Sequence, residues 1–166
     1  MTMEKTINKN LNEIINEHGL FEACESLFAK NIDKKLIEKF VNLMAIDLVD
    51  FWRCPSLVKK WLLTKNEDIK DEAIYLINLS MECSRSMLVY SATKIALCRA
   101  NCVSIGANAF EFLASQNTAS YITLKNDAGE IEVRRLTKTE MAKEKLKYDL
   151  YRKQTERFIE MFCTEE

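Results

Sequence analysis

The sequence predicts a mainly α protein: an antiparallel helical bundle around a long central helix, with a C-terminal β-hairpin and a terminal helix. Three observations carry this. One Pro and three Gly in 166 residues leave little room for a loop-rich fold. Apolar and small residues recur at helical spacing from Ile69 to Ser115. From Gln116 onward the pattern changes to two short extended runs flanking a turn that contains Gly129.

In the central run, Ala73, Leu76, Ile77, Ser80, Ser84, Met87, Leu88, Ser91, Ile95, Cys98, Cys102, Ile105, Ala109 and Phe112 form one stripe at period 3.6. The opposite side holds Ala92, Ala96, Ala100, Val103 and Ala107, so the helix is expected to be surrounded by others. Glu82, Arg85, Lys94, Arg99 and Glu111 interrupt it too often for a membrane span. Unbroken, it would approach ~70 Å, which is too long for a domain of this size. A kink is therefore expected near Asn101 to Gly106, where Asn, Ser and Gly lower helix propensity.

Upstream, Ile7, Leu11, Ile14, Ile15 and His18 predict a helix that Gly19 ends. A short helix then runs from Leu20 to Lys30, burying Leu20, Phe21, Cys24, Leu27 and Phe28. Asn31 or Asp33 caps the next, which carries Leu36, Ile37, Phe40, Val41, Leu43, Met44, Leu48, Phe51 and Trp52 until Pro55 stops it. Ser56 is the expected cap of a short helix with Leu57, Val58, Trp61, Leu62 and Leu63, and Asn66 to Asp68 open the central run. The two short-helix and long-helix pairs echo one another, which supports antiparallel helix pairs.

Downstream, Leu124 is expected to face Ile131 and Ile122 to face Val133, with Lys125 opposite Glu130 and Tyr121 opposite Arg134. Thr137 and Glu140 form a capping box for the last helix, whose Tyr148, Tyr151, Thr155, Phe158 and Phe162 make an aromatic-rich stripe. The organisation expected is a helical core over residues 1–116 and an appendage over 117–166, packed on that core.

A net charge of −1 argues against nucleic-acid binding by the whole surface, yet Arg134 to Arg157 holds nine basic and four acidic residues. Six scattered cysteines and no apolar leader predict a reduced, cytoplasmic protein with no membrane association. No phosphate loop, nucleophile elbow, His-rich zinc pattern or spaced CxxC pair is present, so no metal and no cofactor is called for.

Recognition of a protein partner is the function this pattern favours: a regulatory, inhibitory or scaffolding protein acting through the hairpin edge, the final aromatic stripe, or both. The residues assigned to partner binding are Tyr121, Arg134, Arg135, Tyr148, Tyr151, Arg152 and Phe158, and the same elements offer a route to homodimerisation. A second reading is a nucleic-acid-binding accessory protein using the 125–153 segment, through Lys125, Arg134, Arg135, Lys138, Lys143, Lys147 and Lys153.

A third reading, an enzyme, rests on two places. Asp47 lies on an apolar helix line and, with Asp50 and Glu72 or Glu82, offers an acidic cluster for a divalent metal; the plainer role is a pair with Lys or Arg. Cys98 and Cys102 stand one helical turn apart, half a metal site at most, and redox sensing would need a depressed thiol pKa. The single histidine, His18, sits at an expected helix end, where an imidazole caps free carbonyls or stays solvated. No residue is assigned a catalytic role.

Overall fold

A computed structural model describes residues 10–115, 121–125 and 127–163 of the chain. It is mainly helical, with seven α-helices among the described residues: α1 Leu11–Ala29, α2 Lys34–Asp47, α3 Ser56–Thr64, α4 Lys70–Glu82, α5 Met87–Ile95, α6 Val103–Ser115 and α7 Lys138–Phe162. Two extended segments, β1 Tyr121–Lys125 and β2 Ile131–Arg135, lie between α6 and α7. No helix among the described residues is long and apolar enough to cross a membrane.

Helix α1 starts at a capping box. The Glu13 amide donates to Asn10 Oδ1 at 2.8 Å and the Asn10 amide donates back to Glu13 Oε2 at 3.1 Å. Ile7, expected in this helix, lies outside the described residues. At Gly19 the backbone turns to φ 88°, ψ −176°, which divides α1 into two segments. The second segment is capped from a distance, because the Phe21 amide donates to Glu111 Oε1 of α6 at 2.9 Å. Leu20, Ala23, Cys24 and Leu27 are buried there, whereas Phe28, expected inside, is 49% exposed. It sits two turns beyond half-buried Phe21, at the edge of the line that faces the core.

Asp33 caps α2 through the Lys35 amide, and Ile37, Phe40, Val41 and Met44 bury its face. The helix ends at Asp47, and a 3₁₀ turn, Val49–Phe51, carries the chain to buried Trp52. Before α3, Pro55 rather than Ser56 is the capping residue, and it makes no side-chain cap bond; Ser56 is already helical. Val58, Trp61 and Leu62 are buried, while Leu63 is exposed.

The central run is broken close to the kink expected near residues 101–106, and also at a second place that was not expected. Chain segment 70–115 forms α4, α5 and α6, with breaks at residues 83–86 and 96–102. At the first break Ser84 Oγ donates to the Ser86 carbonyl and Ser86 Oγ accepts from the Val89 amide, local bonds that compete with the helical ladder. At the second, Cys98 is left-handed (φ 55°), Arg99 is extended, and a 3₁₀ turn, Ala100–Cys102, leads into α6. Each break resets the helical phase. The buried residues of α6 are Val103, Gly106, Ala107, Ala109, Phe110 and Leu113; of the expected stripe Ala109 is among them, while Phe112 is 49% exposed. In α5, Ala92 and Ile95 are buried, and Met87 points to solvent at 78% exposure.

Gly106 was expected to weaken the helix, but it lies inside α6, where it permits close packing. A Cβ there would stand 2.8 Å from Met44 Cε and 3.0 Å from its sulfur. Helix α6 is the hub of the fold, in contact with α1, α2, α5 and α7, while α3 packs on α2 and α4. The C-terminal half of α7 closes this core: Phe158 is fully buried and meets Phe40 edge-on at 5.9 Å, with Phe162 5.5 Å from Phe40.

Segments β1 and β2 pair antiparallel, with Tyr121 opposite Arg135, Thr123 opposite Val133 and Lys125 opposite Ile131. This register is shifted by one residue from the one expected by matching apolar residues across the strands. Thus Leu124 meets Glu132 and Ile122 meets Arg134. A shift of one residue exchanges the faces of a strand.

Candidate functional site

The residues expected to recognise a partner run from Tyr121 to Phe158, and those expected to contact nucleic acid from Lys125 to Lys153. Their scaffold is the Thr137–Glu140 capping box, which fixes the start of α7 directly after β2. Arg134 anchors β2 to that helix end by two parallel bonds, from Nη1 to Glu140 Oε2 at 2.9 Å and from Nη2 to Oε1 at 2.8 Å. The Arg134 guanidinium and the Thr137 amide together hold the Glu140 carboxyl down from 4.5 to about 2. Apolar side chains stand out from this frame: Ile131 is 73% exposed, Val133 63%, Leu146 55%, Met141 50% and Tyr148 49%.

The expected partner-binding residues divide accordingly. Arg135 and Tyr148 are exposed, as is Arg152, which lies 3.9 Å from Asp149 and 3.8 Å from Glu156. Arg134 is occupied by Glu140. Tyr151 is half-buried against the core, and burial pushes its phenol up. Phe158 is removed from the surface altogether, because its ring completes the core cluster with Phe40 and Phe162. The Tyr121 side chain lies outside the described residues.

The basic residues show a similar division. Lys125, Lys138 and Lys143 are exposed, as is Arg135. Lys147 donates to Glu144 at 2.9 Å, and Lys153 donates to Asp47 at 2.9 Å. Interleaved carboxylates and one distant aspartate thus neutralise three of the seven expected phosphate contacts, Arg134, Lys147 and Lys153.

Asp47 is engaged by the last helix. Its side chain is 10% exposed and accepts bonds from Lys153, from Gln154 Nε2 at 2.7 Å and from Arg157, whose guanidinium also donates to the Leu43 carbonyl. Gln154 is fully buried. Asp47 therefore ties α2 to α7, and the acidic cluster expected with Asp50 and Glu72 or Glu82 does not form. Asp50 points instead to Lys59 at 3.5 Å. Among the described residues no group of three or more His, Cys, Asp or Glu is placed to hold a metal ion.

Cys98 and Cys102 are not successive turns of one helix, since the left-handed Cys98 and the 3₁₀ turn separate them. The Cys98 thiol accepts from Lys65 Nζ at 3.0 Å and donates to Asn42 Oδ1 at 3.2 Å. Burial pushes both thiols up despite nearby cations, the reverse of what a redox-sensing thiolate needs. All six cysteines are unpaired. His18 lies 3.5 Å from Glu17 Oε2, and among the described residues it caps no carbonyl.

Several residues that organise these places carry no signal in the sequence. Glu111, Asn42, Lys65, Gln154 and Arg157 act across 90, 56, 33, 107 and 110 positions of chain. Helical periodicity reports only neighbours within a turn or two, so such partners are invisible to it.

No family model, curated protein or solved structure matches this chain.

Proposed function

We propose that the protein acts by steric recognition of a protein partner, through the surface made by β2 and the first half of α7. The observation that carries this reading is the set of five exposed apolar side chains, Ile131, Val133, Met141, Leu146 and Tyr148, on one contiguous stretch of chain. Ile131 and Val133 share one face of β2, and Met141 and Tyr148, seven residues apart, share one face of α7; exposed apolar groups paired in this way are what a binding surface offers a partner. Arg135, Lys138 and Lys143 lie beside them and supply the charge that steers encounter. A regulatory or scaffolding protein works by this means without chemistry of its own, and a second copy of the chain offers the same kind of surface.

Native mass spectrometry of the protein recovered from its own source tests this, with light scattering on the purified chain. A defined protein held at fixed stoichiometry, released by Ile131→Lys with Val133→Lys, supports the reading. A concentration-dependent dimer abolished by the same pair assigns the surface to self-association. Recovery with nucleic acid that salt removes, and that Arg135→Glu abolishes, would replace it with the nucleic-acid reading. A turnover lost in Asp47→Asn or Cys98→Ser would revive the enzymatic one.

A further inference from the structure

A cleft of about 900 Å³ opens between the 3₁₀ turn at 49–51 and the break at 83–86, away from every residue assigned to partner recognition. Its wall carries Phe51, Trp52 and Val89 as apolar surface, with Arg53 on one side and Arg85 on the other. Both arginines are exposed, and among the described residues neither has an ion-pair or hydrogen-bond partner. The carboxylate on the wall, Asp50, lies against Lys59. The cleft therefore presents two free guanidiniums, the side chains best suited to grip a carboxylate or phosphate by paired bonds.

Trp52 adds an independent sign. It is 8% exposed, and among the described residues its indole N–H, like that of Trp61, has no acceptor. Buried indoles ordinarily find an acceptor, and one left unmade weighs against the folded state until something supplies it.

We propose that this cleft binds a small organic anion with a planar ring. The ring lies on the Phe51, Trp52 and Val89 surface, and the anionic group sits between Arg53 and Arg85. A cleft of this size accommodates such a molecule, and a mostly apolar wall with a few convergent polar groups is the usual make-up of a small-molecule site. The chemistry shared by a phosphate ester and an aromatic carboxylate defines the class.

The test uses the full chain labelled with ¹⁵N. The sequence has two tryptophans, so two indole resonances are expected, and Trp52→Phe assigns the one of interest. The probes are adenosine monophosphate, salicylate, adenosine and inorganic phosphate. A saturable shift of the Trp52 resonance with adenosine monophosphate or salicylate, and a weaker one with adenosine or phosphate alone, is the expected result; which anion acts distinguishes phosphate from carboxylate. Arg53→Glu and Arg85→Glu each weaken that binding by about tenfold or more, with the helical circular dichroism unchanged because both side chains are exposed. No shift with either anion up to millimolar concentration, equal binding of adenosine, or shifts that survive in both arginine variants would overturn the proposal.

Discussion

The two halves of α7 are one continuous helix and behave as two different surfaces. From Gln154 to Phe162 it is part of the core: Gln154 and Phe158 are fully buried, and Lys153, Gln154 and Arg157 converge on Asp47 of α2. From Lys138 to Tyr148 the same helix keeps Met141, Leu146 and Tyr148 about half exposed and holds its ion pairs locally, Arg134 with Glu140 and Lys147 with Glu144. The difference teaches where stability and recognition are separated in this chain. Long-range contacts fix the distal half, whereas the proximal half is held by its cap and its near neighbours.

Substitutions sharpen this contrast, the deepest first. Phe158→Ala removes a ring that contacts both Phe40 and Phe162 and should destabilise the fold by about 3–5 kcal/mol in chemical denaturation. Asp47→Ala strands the buried Gln154 amide and leaves Arg157 without its carboxylate; a loss of about 2–3 kcal/mol is expected, with α7 protected less against amide exchange. Gly106→Ala gains about 1 kcal/mol of helix propensity but forces a methyl group onto fully buried Met44, which costs about 1–3 kcal/mol, so the net effect is about 1 kcal/mol destabilising. Combined with Met44→Ala, the two changes should cost less than their sum, which a double-mutant cycle reads directly.

On the proximal half the effects invert. Tyr148→Ala should change stability by less than about 0.5 kcal/mol while weakening partner binding, the opposite of the result at Phe158. The smallest effect is that of pH at Glu140. Its folded pKa of about 2 lies below the ordinary 4.5, so the stabilising bond to Arg134 is fully present above pH 4.5 and is lost as the pH falls through about 2. A carboxyl titration followed by NMR should move up toward 4.5 in Arg134→Gln, with the core helices unaffected.

Much of this architecture was legible in the chain because its causes are local. The Thr137–Glu140 capping box, the turn at Gly19, the Asp33 cap and the small-residue surface of Ala92, Ala96, Ala100 and Ala107 arise from side chains acting within a few positions. The plainer role foreseen for Asp47, a pair with Lys or Arg, matches its surroundings, but no periodicity in α2 points to Lys153 or Arg157 more than 100 residues away. The central run misled for a related reason. Its stripe continues numerically through residues 83–86 and 96–102, yet serine bonds to the backbone and a left-handed Cys98 interrupt the helix and rotate the next helix in the chain. Matching apolar residues across β1 and β2 likewise led to a register one residue from the observed one.

By itself the sequence determined that this is a mainly helical protein, where most helices begin and which small residues allow close approach, since caps, turns and helical propensity are short-range properties. The tertiary structure decided which face of each helix is buried, that Phe158 belongs to the core while Tyr148 does not, and that Glu111 caps a helix 90 residues upstream. Those outcomes depend on the phase left after each break and on which distant group arrives at a given side chain. No pattern confined to neighbouring residues encodes either one.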